Sequence, residues 1–245
     1  MKAACLSAAM AIFALAACKP VALDEDRPED ARAFPRAERE VPEVVGNQFS
    51  TEAARDNRHE AETVMDLAGI VEGMTVADIG AGEGYYTVRL AEKVGTTGRV
   101  LAQDIDGDAL ARLGQRVSRD RLDNVSIKPG AIADPRLPAN SFDRIFLVHM
   151  YHEVTEPYAF IWRMHDALRE GGEIIVVDVD RPNGRHGISP KQVFCEFEAV
   201  GFELTEFALR PDIQGYFARF VPIGPKPEPG AIKGCNVSGK RRETE

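Results

Sequence analysis

The hydrophobic residues of this chain fall into two alternating patterns, short apolar runs and longer stretches with one apolar face. The short runs predict buried strands at residues 76–79, 100–104, 125–128, 144–148, 173–179, 202–207 and 215–221. Apolar residues three or four positions apart predict helices over residues 51–71, 85–94, 107–120, 157–170 and 189–200. The run at 173–179 is apolar almost throughout, which is typical of a strand covered on both faces. These patterns predict an α/β protein.

Three glycines spaced two residues apart, Gly80, Gly82 and Gly84, separate the first strand from the helix that follows it. Glycine allows a positive φ and lets the backbone approach a ligand without an obstructing Cβ. The amides that open the following helix point toward any anion bound there. Because Asp78 lies two residues ahead of the first glycine, the pattern is D-x-G-x-G-x-G. It differs from the G-x-G-x-x-G spacing of dinucleotide-binding proteins.

This turn resembles motif I of the class I S-adenosylmethionine (SAM) dependent methyltransferases, and three later stretches resemble the same family. Asp104 closes the second strand, residues 137–148 match the family's approach to the fourth strand, and residues 167–178 match its entry to the fifth. The resemblance implies a Rossmann-like seven-stranded sheet, mostly parallel with an antiparallel last strand and with helices on both faces. It also implies SAM as the cofactor and a methyltransferase domain over residues 51–222.

The resemblance implies a set of cofactor-binding residues, namely Asp78, Gly80, Ala81, Gly82, Gly84, Tyr85, Asp104, Ile105, Ala131 and Asp134. An acid in the place of Asp104 can accept hydrogen bonds from both ribose hydroxyls. The family usually has an acid after the third strand that receives the adenine amino group, but this chain has Ala131 there. Either Asp134 or a backbone group would take its place. The ring of Tyr85 or Tyr86 would favour the sulfonium by cation–π contact.

The fourth strand is followed by His-Met-Tyr-His-Glu at 149–153, and ligands of open α/β sheets bind outside the carboxyl ends of the strands. We therefore predict Tyr151, His152 and Glu153 as catalytic residues. His152 would be a base for a hydroxyl or activated-carbon acceptor, and Glu153 would orient its ring. The alternative is packing around the cofactor, which is equally good for His152, whereas packing or shaping of the substrate site is favoured for Tyr151.

Other polar residues near the predicted site have a weaker case for a role in function. His186 lies in an H-x-I-S segment like that of related methyltransferases, but a solvated loop position is favoured. Solvent exposure in a first helical turn is likewise favoured, over contact with a ligand, for Arg55, Arg58 and His59.

The composition limits the partners of the chain. Its 245 residues, 44% of them hydrophobic, suffice for one sizeable core. Its net charge of −9 gives no electrostatic drive toward a nucleic-acid backbone. The sequence also lacks the D/N-P-P-Y motif of nucleobase amino methylation and the Pro-Cys nucleophile of cytosine-C5 enzymes. A small-molecule methyl acceptor is therefore predicted, with no nucleic-acid partner.

The first residues differ in character from the rest. Residues 1–17 carry one lysine and a run of about fifteen apolar or small residues, which is typical of a signal peptide. The run ends in Leu-Ala-Ala-Cys, resembling the lipobox of bacterial lipoproteins, in which the cysteine, here Cys18, is lipidated. We therefore predict a lipoprotein that faces the periplasm, with the outer membrane favoured because Lys19 follows the cysteine. The alternative is a cytoplasmic protein with an accidental match.

The segments that flank the domain are predicted to be unstructured. Residues 18–50 are rich in acids and proline and are predicted to form a flexible linker, and residues 223–245 a disordered tail. A disulfide between Cys195 and Cys235 is permitted in an oxidising compartment but not indicated. Because SAM is made in the cytoplasm, export leaves a second hypothesis open, an inactive methyltransferase-fold lipoprotein that binds a ligand without turnover.

Overall fold

The computed structural model describes residues 24–42, 50–235 and 237, and the predicted signal peptide and Cys18 lie outside them. Within these residues, seven strands form one sheet in the order β3-β2-β1-β4-β5-β7-β6. The strands are β1 Thr75–Ile79, β2 Arg99–Asp104, β3 Val125–Pro129, β4 Phe142–Val148, β5 Leu168–Asp178, β6 Phe202–Arg210 and β7 Gly215–Pro222. The helices are α1 Glu52–Asp56, α2 Glu60–Leu67, α3 Tyr85–Val94, α4 Gly107–Asp120, α5 Pro157–Ala167 and α6 Pro190–Ala199.

The pairing of the strands confirms the predicted fold class. Strands β1 to β5 are parallel to one another, whereas β7 runs antiparallel to both β5 and β6. The sheet is therefore mostly parallel and closes with an antiparallel strand. In the part of the chain that the structure describes, no helix combines the length and the hydrophobicity needed to cross a membrane.

The inner parts of β4 and β5, residues 145–148 and 174–177, are apolar at every position because side chains cover both faces of the sheet. In β4, Ile145 and Leu147 pack in a core with α5 and α6, whereas Phe146 and Val148 pack in a second core with α2 and α3. Residues of β5 alternate between the same two cores. Successive residues of a strand point to opposite faces, so a doubly covered strand needs apolar residues at every position.

Two helix predictions differ from the structure. Residues 51–71 form two helices, because His59 takes a left-handed conformation (φ 53°) between α1 and α2. The helix that begins at Pro157 ends at Ala167, ahead of the pair of glycines predicted to stop it. It ends there because Leu168 already pairs with Phe142, so β5 begins earlier than predicted and includes both glycines.

Residues 24–42 do not form the flexible linker that their composition predicts, and this part of the prediction is wrong. Arg27 pairs with Glu156 at 2.6 Å, and Arg39 pairs with Glu196 at 2.9 Å. All four side chains are buried. Composition alone does not reveal these ion pairs, because the two carboxylates lie 129 and 157 residues away in sequence.

Residues 223–235, which are predicted to be part of a disordered tail, pack against the domain instead. Cys235 forms a disulfide with Cys195 of α6, and its amide donates a hydrogen bond to the Tyr158 hydroxyl at 2.6 Å. Ile232 is buried in the same core as α5 and α6. The prediction is wrong because it rests on the proline- and glycine-rich composition of the segment, which does not indicate that Ile232 and Cys235 are buried in the domain.

Candidate active site

The parallel strands bring the loops at their carboxyl ends to one edge of the sheet. β1 pairs with β2 and β4, β2 pairs with β3, and β4 pairs with β5, all in parallel. We call the loops after β1, β2 and β3 (residues 80–84, 105–106 and 130–134) the cofactor edge. The loops after β4 and β5 (residues 149–156 and 179–189) form the acceptor edge.

The glycine turn after β1 has the backbone that the sequence predicts. Gly80, Gly82 and Gly84 have φ values of 69°, 55° and 89°, in the left-handed region that disfavours other residues. A Cβ on Gly80 would lie 2.8 Å from Cγ of Met150, and a Cβ on Gly84 would overlap the side chain of Leu113. The turn therefore fits closely between the loop after β4 and helix α4, and only glycine allows this approach.

Asp104 fixes the shape of the glycine turn. One carboxylate oxygen accepts from the amide of Gly82 at 2.8 Å, and the other accepts from the amide of Asp106 at 3.0 Å. The amide of Ala81 donates to the carbonyl of Gln103 at 2.9 Å. A carboxylate has about four lone-pair sites, so two remain for the hydroxyls of a ribose. Asp104 is half-buried, which is consistent with the predicted ribose contact.

Asp78 is buried beneath the turn, where it links β1 to α3. The hydroxyl of Thr87 donates to its carboxylate at 2.6 Å. Burial raises the pKa of Asp78 to about 6, although the hydrogen bond from Thr87 acts in the opposite direction. Only 3% of Asp78 is exposed, so the structure gives it a role in supporting the turn, and a direct cofactor contact stays a prediction.

The predicted sulfonium contact with Tyr85 or Tyr86 does not fit the structure. The guanidinium carbons of Arg55 and Arg89 lie 3.8 Å and 3.9 Å from the centroid of the Tyr85 ring, so arginine cations already occupy the ring faces. Tyr86 is buried and stacks on Phe146 with ring centroids 6.4 Å apart. Tyr85 is the first residue of helix α3, so its predicted contact with the cofactor would be made by the main chain and not by the ring.

A buried carboxylate ties the first helices to the end of β4. Glu60 pairs with Arg55 at 2.6 Å and with Nε2 of His149 at 3.3 Å, and it accepts from the Tyr86 hydroxyl at 3.2 Å. Burial opposes ionisation, but the hydrogen bonds from His149 and Arg55 outweigh it and lower the pKa of Glu60 to about 2. The expected solvent exposure is thus wrong for Arg55 but holds for His59.

Two exposed isoleucines follow β2 and β3 at the cofactor edge. Ile105 and Ile132 are 51% and 49% exposed, so both offer apolar surface at this edge. The predicted contact of Ile105 with the cofactor stays a prediction. The carbonyl of Asp134 accepts from the amide of Ala131, and its carboxylate accepts from the amide of Arg136, both at 2.7 Å. The sequence predicted Ile105 but not Ile132.

Tyr151 is a packing residue, as the alternative interpretation of the sequence has it. Its side chain is fully buried, and its hydroxyl donates to Glu196 at 2.5 Å. The guanidinium of Arg39 lies 5.5 Å from the ring centroid. The predicted catalytic role is therefore not supported, because these contacts enclose the Tyr151 side chain in the core.

His152 is oriented by Asp178, at the end of β5, and not by Glu153 as predicted. Its Nδ1 lies 2.9 Å and 3.0 Å from the two carboxylate oxygens of Asp178. Nε2 of His152 lies 3.8 Å from an oxygen of Glu153. Asp178 also accepts from the amides of His152 at 3.2 Å and Val179 at 2.7 Å, so its carboxylate is held rigidly.

His186 belongs to the same group of side chains, which corrects the expectation of a solvated loop histidine. Its ring centroid lies 6.1 Å from that of His152, and its side chain is half-buried. Ligand atoms of His152, Glu153 and His186 all lie within 4.8 Å of one another. The missed partner, Asp178, ends the fifth-strand motif, and its place at a strand end is the signal that could have revealed it.

Comparisons with known proteins agree with this geometry. A family model described as a methyltransferase domain matches residues 70–210, which is more than half of the chain. The ubiquinone/menaquinone biosynthesis C-methyltransferase UbiE of Enterobacter sp. (strain 638) is 30% identical over 125 residues, which cover 48% of this chain and 47% of that protein. The chain thus matches about half the length of the curated relatives.

Solved structures share the fold. A SAM dependent methyltransferase from Aquifex aeolicus superposes with a TM-score of 0.61 at 22% identity, over 70% of this chain and 97% of that one. The (4+2)-cyclase SpnF superposes with a TM-score of 0.59 at 17% identity, over 76% and 87% of the two chains. With the family match and the geometry of the glycine turn, these likenesses establish that the chain belongs to the methyltransferase-domain family, whose cofactor is S-adenosylmethionine.

Proposed function

We propose that this protein transfers a methyl group from SAM to a small molecule, at an ionised hydroxyl or at a carbon that the hydroxyl activates. The observation that carries the proposal is the buried pair of His152 and Asp178 at the acceptor edge, beside the glycine turn. The net charge of −9 favours a small acceptor over a nucleic acid. Relatives named for C-methylation in quinone biosynthesis support an acceptor with a phenolic ring.

The residues of the cofactor edge fit SAM. The backbone of the glycine turn would lie against its methionine part, Asp104 would accept from the ribose hydroxyls, and Ile105 and Ile132 would flank the adenine. When bound, SAM supplies an electrophilic methyl group on a positively charged sulfonium. Transfer neutralises that charge, so the main tasks of the protein are to align the acceptor and to exclude water.

His152 would take the proton from the acceptor hydroxyl. Because the Asp178 carboxylate can only accept a hydrogen bond, it favours the tautomer of the neutral ring with the proton on Nδ1. The lone pair is then on Nε2, which faces the acceptor edge near Glu153. A hydroxyl placed against Nε2 would lose its proton as the methyl group is transferred. Positioned bases of this kind contribute about 10²–10⁴-fold to the rate.

The proposal includes export and anchoring through Cys18. Two observations support it, the signal-like sequence of residues 1–17 and the disulfide between Cys195 and Cys235. Disulfides persist in oxidising compartments and are rare in the cytoplasm. Replacing Cys18 with serine should move the protein out of the membrane fraction or leave an uncleaved precursor. Unchanged fractionation and mobility of Cys18→Ser would contradict the anchoring.

The same disulfide favours a second candidate function, ligand binding without turnover. An exported protein is separated from the compartment in which SAM is made, so the fold would bind a nucleoside-like ligand instead. The two functions differ in two observable properties, the binding of SAM and the transfer of its methyl group.

The experiment starts with a calorimetric titration of the purified protein with SAM. Methyl-labelled SAM is then incubated with hydroquinones and simple phenols, using wild type, His152→Ala and His59→Ala. The last is a matched control, because His59 is an exposed histidine away from the acceptor edge. Methyl transfer that His152→Ala loses and His59→Ala keeps supports the enzyme. SAM binding without transfer to any of these acceptors contradicts the phenolic acceptor, and absence of SAM binding overturns the proposed methyl transfer and favours the second candidate.

A further inference from the structure

Three metal-ligating side chains meet at the acceptor edge, on two loops that are separate in sequence. His152 and Glu153 lie in the short turn Tyr151–Glu153 after β4, and His186 lies in the loop between β5 and α6. Their ligand atoms all lie within 4.8 Å of one another. The proposed SAM contacts do not use these side chains, because those contacts lie at the cofactor edge.

The spacing of these atoms is close to that of a metal site. Nε2 of His152 and the nearest oxygen of Glu153 are 3.8 Å apart. A tetrahedral zinc ion with bonds of about 2.0–2.1 Å separates its ligand atoms by about 3.3 Å. Rotation of the Glu153 and His186 side chains, each of which is half-buried in a loop, would close the remaining gap.

Asp178 supplies the outer support that metal-bound histidines require. Ligating imidazoles almost always donate their second N–H to a carboxylate or carbonyl, which fixes the tautomer and aims the other nitrogen at the ion. Nδ1 of His152 faces both oxygens of Asp178 at 2.9 Å and 3.0 Å, and Asp178 is itself fully buried. Nε2 of His152 is thereby aimed toward Glu153.

The set of ligands indicates the class of ion. Two imidazoles and one carboxylate are the ligands of many catalytic zinc sites, in which a fourth position stays open to water or substrate. Imidazole nitrogen selects first-row transition metals over Mg²⁺ and Ca²⁺, which prefer oxygen. We infer that His152, Glu153 and His186 bind one divalent transition-metal ion, preferably Zn²⁺, with Asp178 as the positioning carboxylate.

This inference goes beyond the proposed methyl transfer, because metal binding needs no SAM. Both roles use the same lone pair, on Nε2 of His152. In a metal-loaded protein, an acceptor hydroxyl at the open position would be ionised by coordination, and a free imidazole would not be required. Failure of metal binding would leave the proposed proton transfer to His152 intact, so the two proposals fail separately.

The test uses the full chain, purified without an affinity tag and dialysed against a chelator and then against metal-free buffer. Titration with Zn²⁺ by calorimetry should show one saturable site per chain. Titration with Co²⁺ should produce the intense visible absorption of a four-coordinate nitrogen and oxygen site. Weak binding of several ions per chain, or the pale spectrum of hydrated Co²⁺, would overturn the inference.

Variants locate the site. His186→Ala should weaken Zn²⁺ binding by at least about a hundredfold, since even outer-shell changes cost about 10–100-fold. His59→Ala, which changes an exposed histidine outside the group, should bind as wild type does. If His186→Ala does not fold, Glu153→Gln keeps the side-chain volume and should show a comparable loss. Wild-type affinity in folded His186→Ala or Glu153→Gln would contradict the assignment.

Discussion

The cofactor edge and the acceptor edge are built in different ways. The contacts that shape the cofactor edge join near neighbours in sequence, such as Asp104 with Gly82, which are 22 residues apart, and Thr87 with Asp78, which are 9 apart. At the acceptor edge His152 and Asp178 are a similar 26 residues apart, but the bonds from Arg39 that hold the same loop span 112 to 115 residues. The contacts that shape the cofactor edge are thus more local. The acceptor edge depends on side chains brought together by the whole fold.

Residues 24–42, which precede the predicted domain, contact the acceptor edge over a long distance in sequence. Arg39 donates to the carbonyls of Tyr151, His152 and Val154 at 2.9–3.3 Å, and so holds the turn that carries the candidate base. Its closest ion pair, with Glu196, also lies on the acceptor side, where Glu196 accepts from Tyr151. Residues 24–42 therefore support the acceptor edge, and changes to them should alter turnover more than SAM affinity.

The largest expected effect is on turnover at the acceptor edge. His152→Ala should lower the rate on a true acceptor by about 10²–10⁴-fold, because it removes a positioned base. SAM affinity, measured by calorimetry, should stay within about twofold of wild type, since the ring belongs to the other edge. Loss of SAM binding in step with turnover would instead place His152 in the cofactor site, and full activity would leave it a packing residue.

Removing Arg39 should destabilise the acceptor edge. Arg39→Ala leaves Glu196 buried without its ion pair, and breaking a buried pair costs about 3–5 kcal/mol. Urea unfolding measures this loss. Arg36→Ala is the control, because Arg36 forms exposed ion pairs in the same segment and should change stability little. Equal stability of the two variants would mean that residues 24–42 do not hold the acceptor edge.

Removing Asp104 should weaken the cofactor edge. Asp104→Ala deletes a charged acceptor, and hydrogen bonds to charged groups contribute roughly 1.5–3 kcal/mol. SAM affinity should therefore fall by about ten- to a hundredfold in a calorimetric titration. Zinc affinity should stay at the wild-type value, because Asp104 is not among the three proposed metal ligands. A change in SAM affinity below twofold would mean that Asp104 only shapes the turn.

The smallest expected effect is a gain in stability at Asp78. Burial raises its pKa to about 6, so the folded protein binds more protons than the unfolded chain between about pH 4 and pH 6. Stability from this group is therefore lost as the pH rises through 6. Asp78→Asn removes the buried charge and should stabilise the protein by about 1–3 kcal/mol at pH 8, and by less at pH 5. A gain that does not vary with pH would contradict this explanation.

The sequence predicted the cofactor edge better than the acceptor edge for a physical reason. The positive φ of Gly80, Gly82 and Gly84 and the place of Asp104 follow from local spacing, and the structure has both. The sequence correctly places His152 in the loop after the fourth strand but gives it the wrong partner. Asp178 lies inside the predicted strand 173–179, and nothing in that pattern indicates a contact with His152.

The predictions of a flexible linker and a disordered tail are wrong for a related reason. Acids, prolines and glycines in residues 24–42 and 223–235 predict disorder, yet buried arginines and a disulfide fasten these segments to the domain. Each of these contacts depends on a single residue whose partner lies far away in sequence. The average composition of a segment does not reveal such a residue. Periodic patterns reveal helices and strands, because these depend on many neighbouring residues, but not isolated long-range contacts.

The most direct test of the central claim, that SAM binds at the glycine turn, is a calorimetric titration of Gly82→Val. The branched side chain would project where the cofactor must approach, at a residue with φ 55°. Gly69→Val is the matched control, because Gly69 has φ 65° and open space around it, away from the turn. We expect SAM affinity to fall more than about a hundredfold in Gly82→Val and to remain at the wild-type value in Gly69→Val, with both variants folded by circular dichroism. Unchanged SAM affinity in folded Gly82→Val would contradict the assignment of the cofactor site.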